Sequence, residues 1–187
     1  MTAAAWAEVP LGEVCALNPS PRRRPASDEV VSFLGMSAVS EDGTTELGED
    51  RAFSEVAKGY TLFERDDVLL AKITPCFQNG KIAQARPRTE VAAGSTEFHV
   101  LRPVPESLDN RYLLHLLRLP RVRAVGQRRM TGSGGQRRVP ESFLAELTIP
   151  LPPIEEQRRV AAVLDAADAV RVQRREALAL LDTVDDS

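Results

Sequence analysis

The chain has 187 residues, 43% apolar and 27% charged, with a formal net charge of −3. That composition fills one good core with length left over, and it excludes a disordered chain. No apolar run approaches the ~20 residues that cross a bilayer, and the opening MTAAAWAEVPLGEV lacks the basic start and greasy stretch of a secretory leader, so the expected location is the cytoplasm.

Short strand-like stretches dominate the first hundred residues. Val30–Gly35, Val68–Ile73, Lys81–Ala85 and Glu97–Leu101 are apolar or alternating, bounded by Gly, Pro, Asn and Asp. Pro19–Pro25, with Arg22, Arg23 and Arg24, reads as an exposed loop. Glu41-Asp42-Gly43 and Gln78-Asn79-Gly80 read as turns, the second a hairpin signal. From Asn110 to about Val125 the pattern is helical, with Leu113, Leu114, Leu116 and Leu117 on an apolar face and Pro120 dividing it. Met130–Gln136 is a glycine-rich loop, local structure resumes over Val139–Leu147, and Leu147–Ile149 suggests a last strand.

Pro150-Leu-Pro-Pro153 is a stiff connector, and the sequence then changes character. From Glu155 to about Asp185 there is no Gly or Pro, and Glu155 and Glu156 occupy the first turn, where the helix dipole favours negative charge. Val160, Val163, Ala167, Val170, Arg174, Ala177, Leu181 and Val184 recur at steps of three and four. That is a coiled-coil seam interrupted once, by Arg174. A seam this long needs a second helix, and the chain offers none of matching length, so a partner or a second copy is expected to cover it. The alternative is a helix folded back onto its own domain. The expected fold class is therefore α+β: a β-rich domain with small helices over 1–152, then one long spacer or dimerisation helix over 153–187.

The charges are segregated. Asp28, Glu29, Glu41, Asp42, Glu46, Glu49, Asp50, Asp66 and Asp67 crowd one stretch, whereas Arg111 to Arg138 holds eight arginines and no acid. A local potential of this kind steers a polyanion, whatever the net charge. The bland alternative is that acids from elsewhere in the fold pair with these arginines.

Catalytic parts are missing. There is no phosphate-cradling G-x-x-x-x-G-K-[ST] and no nucleophile elbow, and Asn18-Pro19-Ser20-Pro21 lacks the aromatic that would stack on a flipped base. Asp66, Asp67 and Lys72 make a weak nuclease constellation, because alternation puts Asp67 and Lys72 on opposite strand faces. Cys15, Cys76, His99 and His115 supply no metal pattern, so no metal site is expected, and the histidines read as packing residues. Binding is the better expectation. Lys72-Ile-Thr-Pro-Cys-Phe-Gln-Asn-Gly-Lys81 gathers lysines, a hydroxyl and amides around a turn, groups that read base edges or phosphate. Gly94–Phe98 opens a strand with small polar residues, and Arg128–Arg138 sets glycines between two arginine pairs.

Taken in order, Trp6–Val14, Asp67–Ala83, Gly94–Pro103, Thr131–Pro140 and Ile149–Leu164 resemble the signature blocks of type I restriction–modification specificity subunits. The proline connector leading into Glu-Glu-Gln-Arg-Arg is the most specific of them. The resemblance implies sequence-specific recognition of double-stranded DNA by a subunit without catalysis of its own. It also implies a methyltransferase subunit as partner, the only holder of S-adenosylmethionine, with a translocating restriction subunit as a further partner. Family members carry two recognition domains and two long helices that pack together, each domain reading half of a split site; this chain holds one of each, either as a natural half-subunit or as a truncated one, and its unpaired seam points to a homodimer. Within that frame Lys72, Thr74, Gln78, Asn79 and Lys81 form one expected reading loop, and Arg128, Arg129, Ser133, Gln136, Arg137 and Arg138 a second surface. The rival expectations are a half-subunit that joins the methyltransferase as an assembly or decoy protein without reading DNA, and a nuclease built on Asp66 or Asp67.

Overall fold

The computed structural model describes residues 6–185 and, after Ala179, only the side chain of Leu181. In chain order the first elements are β1 (Ala7–Pro10), α1 (Leu11–Val14), β2 (Cys15–Leu17), β3 (Val30–Leu34), β4 (Glu49–Ala52) and α2 (Phe53–Val56). They are followed by β5 (Thr61–Glu64), β6 (Val68–Ala71), β7 (Ile82–Gln84), β8 (Val91–Gly94) and β9 (Phe98–Pro103). Then come α3 (Asn110–Arg118), α4 (Pro120–Arg129), α5 (Glu141–Glu146), β10 (Thr148–Leu151) and α6 (Ile154–Asp185). The α+β expectation holds.

Two four-stranded sheets stack on each other, one ordered β2-β9-β6-β7 and the other β4-β3-β8-β5. Period-two alternation decides what lies between them: Leu69, Ala83 and Val100 meet Leu34, Phe63 and Ala92 in one cluster. The intervening residues Val68, Leu70, Ile82 and Leu101 point the other way, into a cluster with Leu113, Leu114 and Leu117 of α3 and Leu144 of α5. Strand β6 is therefore buried on both faces, which is why Val68–Ala71 reads as a continuous apolar run. Helix α2 covers the outer face of the second sheet through Phe53 and Val56.

Asp109 caps α3 by accepting from the backbone N–H groups of Arg111 and Tyr112, and Pro120 starts α4 at a first-turn position where no N–H is needed. Strand β1 pairs antiparallel with β10, so the two ends of the domain close on each other directly before α6.

Helix α6 lies against its own domain by one face, and the seam expected from the sequence is on another. Gln157 and Ala161 are buried; Gln157 Nε2 donates to Ser107 O and Pro152 O, and its Oε1 accepts from Asp109 N–H. Further along, Asp165 accepts from Arg111 and His115, and Asp168 pairs with Arg118. Burial pushes the carboxyls of Asp165 and Asp168 up, but the hydrogen bonds and positive charge of these partners outweigh it and hold both below their ordinary value. On the seam, Val163, Val170 and Leu181 are 65%, 63% and 62% exposed, Ala167, Arg174 and Ala177 are exposed, and only Val160 is half-buried. Val184 lies outside the described side chains. The helix is thus docked and its seam is still open.

Candidate nucleic-acid interface

Strand register brings several loops to one end of the stacked sheets. Leu34 and Thr61 both pair with Gly94, and Ala71 pairs with Phe98, so the segments leaving those residues share a rim. The loop 72–81 joins β6 to β7 on that rim. It is folded rather than slack: Phe77 N–H donates to Ile73 O, Asn79 N–H to Pro75 O and Lys81 N–H to Cys76 O, each at 3.0 Å. Gly80 at its end has φ +80, the left-handed region that glycine tolerates.

The glycine-rich segment is strapped onto this loop. Arg138 makes isolated bridges to Ile73 and to Thr131, Thr74 N–H donates to Arg137 O at 2.9 Å, and Val139 N–H donates to Lys72 O at 2.9 Å. The two stretches expected to read DNA, sixty residues apart in sequence, form one surface. Helix α4 backs it by close approach: a Cβ at Gly126 would stand 2.5 Å from the buried Phe77 ring, and one at Gly80 would stand 2.6 Å from Arg123 Nη1.

Not every candidate side chain is available there, and three correct the sequence reading. Lys81 is a strut, its ammonium donating to Met36 O at 3.2 Å and Val39 O at 3.1 Å. Thr74 Oγ1 is spent on the Arg137 backbone, donating to its O at 2.9 Å and accepting from its N–H at 3.1 Å. Arg138 forms a two-pronged pair with Glu97, Nη2 at 2.7 Å and Nε at 2.9 Å, and the hydrogen bond from Arg138 holds the Glu97 carboxyl below its ordinary value. These three shape the rim because their polar groups face other loops of the rim. Asn79, Arg128, Arg129, Ser133, Gln136 and Arg137 are exposed, while Lys72 and Gln78 are half-buried. Gln78 Oε1 is a buried acceptor without a partner among the described residues.

The arginine block divides in the same way. Arg111, Arg118 and Arg138 are paired with Asp165, Asp168 and Glu97, as the bland alternative had it. Among the described residues, Arg121, Arg123, Arg128, Arg129 and Arg137 have no carboxylate within ion-pair distance. Arg22 and Arg23 of the early basic loop are turned onto Glu64, Glu29 and Glu90, and Arg24 lies over the Phe53 ring.

Sequence reasoning missed the clamp behind the strap. His99 Nε2 lies 2.8 Å from Val139 O and its Nδ1 lies 3.2 Å from Asn18 Nδ2, an arrangement that suits a neutral ring donating to the carbonyl and accepting from the amide. Burial keeps this histidine below its ordinary value. Asn18 also donates to Glu141 and accepts from Val100 N–H, which ties the start of α5 to the sheet. The signal was a lone histidine in an alternating strand, and nothing local connects it to a segment forty residues away.

The nuclease expectation fails on geometry. Asp67 is buried, receives two 2.7 Å bonds from Arg102 and accepts from Glu64 N–H at 2.7 Å, while Asp66 pairs with Arg86 at 2.8 Å and accepts from Gln84 Nε2 at 3.0 Å, so both carboxylates are committed to neighbours within the fold. Among the described residues no group of three His, Cys, Asp or Glu side chains is placed to hold a metal ion. Burial pushes the Cys15 thiol up to about 12, which suits a packing role.

With two stacked sheets, a strapped polar rim and a long C-terminal helix, the chain belongs to the type I restriction–modification specificity family. The family model described as "Type I restriction modification DNA specificity domain" matches residues 4–179. The chain is similar to the Type I restriction enzyme EcoEI specificity subunit of Escherichia coli, 39% identical over 158 residues, which are 83% of this chain and 26% of the relative. The EcoAI specificity subunit of the same organism is 38% identical over 160 residues, with the same two coverages. The solved HsdS subunit from Thermoanaerobacter tengcongensis superposes with a TM-score of 0.74 at 27% identity, over 91% of this chain and 44% of that one. The chain thus spans about a quarter of the length of the curated relatives it matches.

Proposed function

We propose that this chain is a sequence-specific double-stranded DNA recognition subunit that directs a partner adenine methyltransferase to a split target site. The observation that carries the reading is the rim: two distant polar segments hydrogen-bonded into one surface, with Asn79, Gln136, Arg128 and Arg129 exposed and Arg137 exposed beside them, one of its Nη atoms donating to Met130 O at 2.7 Å. Amides read adenine edges bidentately, and arginines serve guanine or phosphate. Catalysis and S-adenosylmethionine belong to the methyltransferase in this reading, and a restriction subunit is the further partner. The open seam of α6 is covered by a second copy, so that two recognition domains face two half-sites.

The rim is tested by substitution in the assembled chain. Asn79→Ala or Gln136→Ala is expected to relax preference at one base position, at a cost of about 1–3 kcal/mol. Changing both Arg128 and Arg137 to Ala is expected to weaken binding to all duplexes and to reduce the salt dependence by about one unit for every phosphate no longer neutralised. Rim variants that keep full affinity, preference and salt slope overturn the assignment.

A further inference from the structure

Beside the rim runs a second feature that the recognition site does not absorb. A groove of about 650 Å³ lies between α6 and the body of the domain, and the exposed Asn79 of the reading loop is among the residues that line it. Five guanidiniums line it, from Arg118, Arg123, Arg171, Arg174 and Arg175, against the three carboxylates of Glu41, Asp42 and Asp168. Asp168 is spent on Arg118 and Arg171. Among the described residues, Arg123, Arg174 and Arg175 have no carboxylate within ion-pair distance.

We infer that this groove is a phosphate track, holding the backbone of the DNA next to the half-site read by the rim. The inference rests on the recognition reading above and adds a surface to it. Three observations favour a sugar–phosphate backbone over base edges or a protein. Apart from Asn79, the groove offers no amide or hydroxyl, and its guanidiniums, spread over three helices, suit a row of phosphate oxygens. Its basic residues come from both walls, Arg123 from α4 and Arg171, Arg174 and Arg175 from α6, so a polyanion laid along it would be held between the walls. It also continues the rim in the direction of a helix of 32 residues, about 48 Å long, so a duplex that meets Asn79 and runs beside α6 passes over it.

Asp42 tempers the track. Its carboxyl is held below its ordinary value by hydrogen bonds from Ser40 and Thr44, with a smaller contribution from the charge of Arg175. The groove therefore has a built-in negative group whose removal should strengthen DNA binding.

The experiment measures affinity of the full chain, assembled with its methyltransferase subunit, for a random-sequence duplex pool and for individual duplexes across a salt series. Arg123→Ala with Arg175→Ala is the test pair, and Arg174 stays native because it also lies on the seam. Each phosphate left without its arginine should take ~0.9 off the salt slope, so a fourfold rise in salt should weaken the double variant about tenfold less than the unaltered protein. Affinity should fall for every sequence alike, and Asp42→Asn should raise it. An unchanged slope, or a shift in base preference, overturns the track. Dissociation of the methyltransferase from the assembly with DNA affinity unchanged overturns it in favour of a protein partner. If the unaltered protein binds no duplex at all, the recognition reading fails and the track fails with it.

Discussion

At the scale of single residues, the fold commits most of its charged groups before any ligand arrives. Arg102 is 12% exposed and Asp67 3%, joined by two 2.7 Å bonds, with Glu64 at 3.2 Å from the same guanidinium. Replacing one member leaves a buried charge without its partner, so Asp67→Asn should lower unfolding free energy by roughly 3–5 kcal/mol in urea titration. A decrease of under about 1 kcal/mol, the range of exposed pairs, would show the pair to be hydrated. His99 gives a pH dependence. Burial lowers its folded value from the ordinary 6.5, so the unfolded chain takes the proton first. Its contribution is complete above about 6.5 and declines as pH falls below it. Melting temperature should drop across that window, and His99→Gln should flatten the drop. The paired carboxylates Glu97, Asp165 and Asp168 act lower, their support being lost only as pH falls below the ordinary 4.5 and 3.8. Residue types were legible in sequence: amides and arginines on the rim stand where glycine and asparagine punctuation put them. Partners were not. Nothing near Arg138 announces Glu97, and nothing near Lys81 announces two carbonyls some forty residues earlier.

Among the elements, legibility followed how much of each pattern is local. The double-sided burial of β6, the division of α3 from α4 at Pro120 and the long α6 are written in apolar runs, a proline and the absence of glycine. Strand β4, Glu-Asp-Arg-Ala, carries no apolar alternation because it is an edge strand, and β1 with β10 exists only through pairing of distant segments. Helix α5 is six residues long, too short to display a period. Packing between α4 and the reading loop makes Gly126 sensitive. A methyl there meets Phe77 at 2.5 Å and Phe143 at 2.9 Å, so Gly126→Ala should destabilise by about 1–3 kcal/mol and loosen the loop. Thermal unfolding reads the first effect and protease sensitivity at residues 72–81 the second; an unaltered protein by both measures would mean that the rings move aside. On α6, Arg174 interrupts the apolar seam. In the dimer reading Arg174→Leu should tighten self-association by roughly 1.5–3 kcal/mol, the value of burying such a side chain, as read by sedimentation equilibrium. No tightening would place the dimer contact elsewhere.

At the scale of the whole molecule, one face of α6 is tied to its own domain by Gln157, Asp165 and Asp168, and the seam beside it stays exposed. The docking fixes the direction of the helix relative to the rim, so a second copy joined along the seam would hold its rim at a set distance and orientation. Two identical rims related by a two-fold axis read the same half-site in opposite directions. Selection from random duplexes by the full chain, with the methyltransferase subunit present, tests this most directly. The account predicts enrichment of one short sequence as an inverted repeat with a constant gap. Recovery of no common sequence, or of a single unrepeated one, would contradict it.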